Sequence, residues 1–123
     1  LTRPNGIAFL PGEKTIIIAN SDPAKPHWYA YDLDEEGLLV KGRIFYDATE
    51  AAKKDNGMPD GLKVAKNGTV FATGPGGIWI FDQEGEALGR IKVNRATSNC
   101  ALADQDQTLY VTADDSVIKI SLK

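Results

Sequence analysis

Three oxygen-bearing side chains recur at matched places in this chain: Asn5, Asp60 and Asn99. Asn5 lies in Arg3-Pro4-Asn5-Gly6-Ile7-Ala8-Phe9, and Asp60 in Met58-Pro59-Asp60-Gly61-Leu62-Lys63-Val64. Asn99 lies in a looser copy, Thr97-Ser98-Asn99-Cys100-Ala101-Leu102, with Ser and Cys in place of Pro and Gly. The copies are spaced by 55 and then 39 residues. A carboxylate and neutral amide oxygens at equivalent repeat positions suit a hard divalent cation, which takes oxygen ligands at roughly 2.0–2.6 Å. Such a cation polarises a carbonyl and acidifies a bound water. Asp60 also has the chemistry of a general base toward that water. The competing reading of Asp60 is an Asx-type turn residue that serves its own backbone ahead of Gly61. For Asn99, a structural hydrogen bond competes with contact to a ligand or substrate.

The elements that position these residues repeat as well. After each copy comes a turn and then an apolar run: Ile16-Ile17-Ile18-Ala19-Asn20, Val70-Phe71-Ala72-Thr73 and Leu109-Tyr110-Val111-Thr112. Several short strands per repeat of roughly 40–50 residues are the signature of a β-propeller. The expected architecture is therefore all-β, a partial β-propeller of the six-bladed kind, with about three blades over residues 4–47, 59–93 and 98–123. In the first blade, Gly6–Leu10, Thr15–Ala19, His27–Asp32 and Leu38–Tyr46 read as strands separated by Gly, Pro and acidic turns. Gly61–Val64, Val70–Thr73, Ile78–Asp82 and Gly89–Val93 make the second blade, with Asn67-Gly68 as a hairpin signal. The third has Cys100–Ala103, Leu109–Thr112 and Val117–Leu122, and its fourth strand is missing. Ala48–Lys54 favours a turn or two of helix, too short to stand alone, and reads as a crossover that can wall a pocket. Such an open arc leaves exposed edges, so the expected partner is the rest of a ring: a missing half of the propeller or a second copy of the chain.

Composition removes several classes of function. A net charge of −3 and a pI near 5.1 argue against a nucleic-acid partner recruited by bulk charge. No apolar run approaches the roughly 20 residues that cross a bilayer, and no leader pattern is visible. A soluble protein is expected, with the compartment open between cytoplasmic and secreted or periplasmic. The single cysteine, Cys100, excludes an internal disulfide or a cysteine metal cluster, and reads as a small buried apolar residue.

The remaining candidates have plainer readings. His27 is the only histidine, which leaves little material for a multi-histidine site or a Ser-His-Asp triad, and it reads as a strand residue. Asp114-Asp115 reads as a solvated turn. Gly74-Pro75-Gly76-Gly77 lacks the lysine and the following helix of a phosphate loop, and is a structural turn. Trp28, Trp79, Phe71 and Tyr110 fall on strands and are assigned to packing between blades. Arg95, with Arg3, precedes an inner strand and is a candidate for binding the substrate beside Asn99.

Taken together, the Pro-Asn-Gly segment at Pro4-Asn5-Gly6, the Gly-x-Pro-Asp-Gly segment at Gly57–Gly61, the Thr97–Ala101 start and the Thr108-Leu109-Tyr110-Val111-Thr112 strand resemble the C-terminal half of the gluconolactonase/regucalcin (senescence marker protein) family. The resemblance covers essentially the whole chain. It implies a six-bladed propeller that hydrolyses lactones such as sugar lactones with one divalent cation, calcium or zinc, with magnesium or manganese as further options. It implies that Asn5 and Asp60 are metal ligands, joined by a glutamate from a blade outside this sequence. The reading is thus a metal-dependent hydrolase acting on a small-molecule lactone. The alternative is a non-catalytic propeller fragment used as a binding or assembly module, which needs no metal.

Overall fold

A computed structural model describes residues 1–122. The first sheet comprises β1 (Pro4–Phe9), β2 (Thr15–Asn20), β3 (His27–Leu33) and β4 (Leu39–Asp47), paired in that order. A short helix, α1 (Thr49–Lys54), leads to the second sheet of β5 (Leu62–Val64), β6 (Val70–Gly74), β7 (Gly77–Phe81) and β8 (Ala87–Lys92). The third sheet holds β9 (Thr97–Ala103), β10 (Thr108–Ala113) and β11 (Ser116–Ser121). All pairings are antiparallel between neighbours in sequence, so each sheet is a simple meander. β1 adjoins β5, and β5 adjoins β9. The first strands of successive sheets therefore converge while the later strands fan outward, the radial layout of propeller blades.

Local chemistry explains the strands and their ends. β2 is a β-branched run buried along almost its whole length, as a strand covered on both faces requires. The outer hairpins of the first two sheets close with the same device. Asp34 Oδ1 accepts from the N–H groups of Glu36 and Leu38, each at 2.9 Å. Asp82 Oδ1 does the same for Glu84 and Glu86, again at 2.9 Å. Gly37 and Gly85 follow at φ of 80° and 86°, conformations that favour glycine.

Two apolar layers glue the sheets together. Between the first and second sheets lie Ile17, Ala19, Trp28, Ala30, Leu62, Val70, Ala72, Trp79 and Phe81. Trp28 sits at the centre, 5.0 Å from the Phe81 ring edge-on and 5.9 Å from Trp79. Between the second and third sheets, Phe71 and Ile78 meet Cys100, Leu109 and Val111. The expected packing role of Trp28, Trp79 and Phe71 is thereby observed, whereas Tyr110 points to the other face of its strand and is partly exposed. Strand alternation leaves Ile7, Phe9 and Ile44 on the face of the first sheet turned away from the second, at 60%, 43% and 52% exposure. Removing the keystone tests this layer. Trp28→Ala is expected to cost about 3–5 kcal/mol in urea unfolding, the usual range for truncating a buried aromatic side chain.

Candidate functional site

The first strands start at one end of the sheets, and their starts nearly touch. A Cβ placed on Gly6 would stand 1.9 Å from the Asp60 carbonyl oxygen. One placed on Gly61 would stand 2.1 Å from Asn99 Oδ1 and 2.7 Å from Asn99 Cα. Neither glycine is needed for an unusual φ. Each is needed because the next sheet's first strand occupies the space of a side chain. The Gly61 N–H also donates to the Ser98 carbonyl at 2.9 Å, tying the second sheet to the third. In this way the fold brings the segments bearing Asn5, Asp60 and Asn99 side by side.

Irregular pairing marks the same points. The β1–β2 register shifts between Pro4 and Ile7, around Asn5, and the β9–β10 register shifts between Thr112 and Ala113, beside Asn99. In the second sheet Thr73 serves two consecutive residues. Its carbonyl accepts from Asp60 N–H at 3.1 Å, and its own N–H and hydroxyl donate to the Gly61 carbonyl at 2.9 and 3.0 Å. Such bulges re-aim side chains at the rim of a sheet.

Asp60 stands apart electrostatically. Hydrogen bonds from Thr2, Arg43, Thr49 and Arg90 hold Asp22, Asp32, Asp47 and Asp55, respectively, below the ordinary carboxylate range. Asp60 moves the other way, and burial is the sole cause. Among the described residues, no hydrogen bond or ion pair compensates its half-buried carboxylate. Asn5 is exposed at its bulge. Asn99 is different: its Oδ1 accepts from the Cys100 N–H at 2.9 Å and from Lys63 Nζ at 3.3 Å. Its amide oxygen is thus engaged by the protein, and the free end of the group is its NH2. Arg95 is not drawn to the others. Its guanidinium pairs with Asp115 and reaches Ser116 Oγ at 2.6 Å on the β10–β11 turn. No cluster of three His, Cys, Asp or Glu side chains suited to a metal occurs among the described residues. The candidate centre is the Asp60 carboxylate, with the Asn5 segment packed against the Asp60 backbone.

The plainer readings agree with the coordinates. His27 lies at the start of β3 with Nε2 3.2 Å from Asp47 and Nδ1 3.1 Å from the Tyr29 hydroxyl. Residues 74–77 form a buried turn whose Pro75 carbonyl accepts from Trp79 Nε1 at 3.0 Å and Arg90 at 2.7 Å. Burial pushes the Cys100 thiol up to about 11, well away from reactivity. The crossover does form a wall: Asp55 bonds Arg90 at 3.2 Å, and the Asn56 carbonyl accepts from Gly76 N–H at 2.8 Å. Arg90 in turn lies 4.1 Å over the Trp79 ring. A surface hollow of about 800 Å³ beside Glu13, Asp32 and Lys41 lies at the opposite ends of β2 and β3, away from Asp60.

Sequence reasoning missed Lys63, Asn20 and Ser21. Lys63 follows Leu62, whose side chain enters the first apolar layer, so alternation alone sends the lysine to the Asn99 side.

Comparison with known proteins agrees with the geometry. Residues 1–115 match the family described as the SMP-30/Gluconolactonase/LRE-like region. The chain belongs to the SMP-30/gluconolactonase family. It is 37% identical over 127 residues to a gluconolactonase of Zymomonas mobilis, a match that covers all of this chain and 36% of that protein. A gluconolactonase structure from Xanthomonas campestris superposes with a TM-score of 0.87 at 28% identity, covering all of this chain and 39% of its own. Regucalcin from Agrobacterium tumefaciens, described as a calcium-binding protein, gives 0.71 at 26% identity over 89% of this chain and 37% of its own. The chain thus spans little more than a third of the length of these SMP-30/gluconolactonase relatives, and its fold is part of their β-propeller. Among the described residues, no helix is long and apolar enough to cross a membrane.

The electrostatics of Asp60 predict a pH dependence. Its raised folded-state value means that its contribution to stability is fully present below the unfolded value of 3.8 and is lost as pH rises through the folded value. Asp60→Asn is therefore expected to raise the melting temperature of the metal-free chain at neutral pH. The gain should vanish below 3.8, which thermal scans across pH will show.

Proposed function

We propose that this chain supplies part of the active site of a metal-dependent lactone hydrolase of the gluconolactonase type. The observation that carries the reading is the Asp60 carboxylate, desolvated and without a partner beside the Asn5 segment. A charge left so is costly unless a counter-ion completes it. Its pairing with the amide oxygen of Asn5 is an oxygen donor set of the kind that calcium takes, and zinc, magnesium or manganese are alternatives. The calcium-binding description of the Agrobacterium relative supports the same choice.

When bound, the cation supplies Lewis-acid polarisation of a lactone carbonyl and a more acidic water. The chain's own residues do the rest. Asp60 contributes the negative charge and, at a carboxylate oxygen, accepts a proton from attacking water. Asn5 adds a neutral oxygen, a further donor to the cation that brings no second negative charge from this chain. Asn99, with Oδ1 already held by Lys63, offers its NH2 to a substrate oxygen. Arg95 contributes to substrate binding only by leaving Asp115, so its part is secondary.

The test is a divalent-metal titration followed by hydrolysis of a sugar lactone. Asp60→Ala should abolish metal-dependent stabilisation and lower turnover by on the order of 10²–10³, the rate equivalent of several kcal/mol of transition-state stabilisation. Metal binding that persists in Asp60→Ala would remove this reading, and a chain that takes up no divalent metal would leave the binding or assembly module in its place.

We infer further that the chain works as part of a larger ring, completed by additional blades or by a second copy. The exposed Ile7, Phe9 and Ile44 on one face of the first sheet support this. Light scattering of the purified chain should give a mass near twice 13.3 kDa, whereas a well-folded monomer would show that the arc needs no partner.

A further inference from the structure

Asn20 ends β2 and Ser21 follows it, at the rim where the candidate site lies. Asn20 is wholly buried, and each polar atom of its amide is used. Its Oδ1 accepts from the N–H groups of Thr2 and Arg3 at 3.1 and 2.8 Å. Its Nδ2 donates to Thr2 Oγ1 at 3.0 Å and to the Lys25 carbonyl at 2.9 Å. Ser21 then works in two directions. Its N–H donates to the Arg3 carbonyl at 2.8 Å, and its hydroxyl donates to the Pro59 carbonyl. One dipeptide therefore grips the chain just before Asn5 and also just before Asp60.

We propose that Asn20 and Ser21 are positioning residues that fix the separation of Asn5 and Asp60 and so tune the affinity of the site for a divalent cation. The proposal rests on the reading of Asn5 and Asp60 as ligands. Its physical basis is that two ligands on separate sheets would otherwise be related only through apolar layers and the close backbone approach at Gly6, which resist sliding less than directed bonds do. The buried, fully bonded amide holds residues 2–3 rigidly to the end of β2. The Ser21 hydroxyl carries that rigidity across to the second sheet at the peptide that precedes Asp60. Outer partners of this kind commonly change metal affinity 10- to 100-fold, and ligand placement must hold to about half an ångström.

The experiment is a Mn²⁺ titration of the full natural polypeptide, read by the electron paramagnetic resonance of free Mn²⁺, with Asp60→Ala as control. Ser21→Ala is expected to weaken Mn²⁺ binding about 10-fold, with the melting temperature of the metal-free protein moving by less than about 2 °C. Ser21→Thr, which keeps the hydroxyl, should restore the affinity. Wild-type affinity in Ser21→Ala, with binding lost in Asp60→Ala, would overturn the positioning role and leave the metal reading intact. Binding that is indifferent to Asp60 would overturn both. A Ser21→Ala protein that unfolds or melts much earlier, or one that Ser21→Thr does not rescue, would make the residue merely structural and overturn the proposal as well.

Discussion

Backbone crowding at the start of the first strands is the constraint from which the rest of this structure follows. At Gly6 and Gly61 the neighbouring sheet comes closer than a methyl group allows. That approach sets the angle between sheets, and the angle determines which side chains must fill the wedge that opens outward. Small residues such as Ala8, Ala19 and Ala72 lie near the narrow end, while Trp28, Trp79 and Phe81 take up the wider space beyond. The aromatic rings fill the layer between the first and second sheets. The glycines decide its shape.

The same crowding explains why the rim has unusual chemistry. Where strands converge, regular pairing cannot continue, so bulges appear and polar side chains are displaced from the pattern of alternation. Several carboxylates around the sheets find hydroxyl or guanidinium partners, as Asp32 does with Arg43 and Asp55 with Arg90. Asp60 does not. Its neighbours at the convergence are backbone groups already bonded to one another, notably Thr73 with both Asp60 and Gly61. A partnerless charge at such a place is a local conflict within the fold.

Much of this was legible in the sequence because the informative residues carry their meaning locally. Gly61 after Asp60, the β-branched run of β2 and the Asp-x-Glu-Gly turns each dictate conformation within a few residues. The strands fell where alternation placed them, with differences at the ends: β9 begins at Thr97 rather than Cys100, because Thr97 Oγ1 is fixed by the Gly77 carbonyl of the preceding sheet at 3.1 Å. The site was legible only as a set of equivalent positions. That Asn99 turns its oxygen to Lys63, or that Arg95 folds onto Asp115, depends on partners 36 and 20 residues away. Asn20 and Ser21 left no trace in the pattern. An asparagine after an apolar run reads as the end of a strand, and nothing in its neighbours reveals that it bonds residues 2 and 3.

The paired outer turns have another consequence. Asp34 and Asp82 each complete their hairpin with the same bonds to the chain immediately following, and with a glycine in the same conformation. Their surroundings differ: a Cβ on Gly85 would stand 2.2 Å from the Phe45 carbonyl oxygen of the first sheet, whereas nothing crowds Gly37, so the Asp34 hairpin end is a portable part. The strand starts at the hub have the opposite character, since Gly6 is defined by Asp60 and Gly61 by Asn99. Divergence is therefore cheap at the free outer turn of the first sheet and correlated at the hub, where a change in one blade is tolerated only with an answering change in the next.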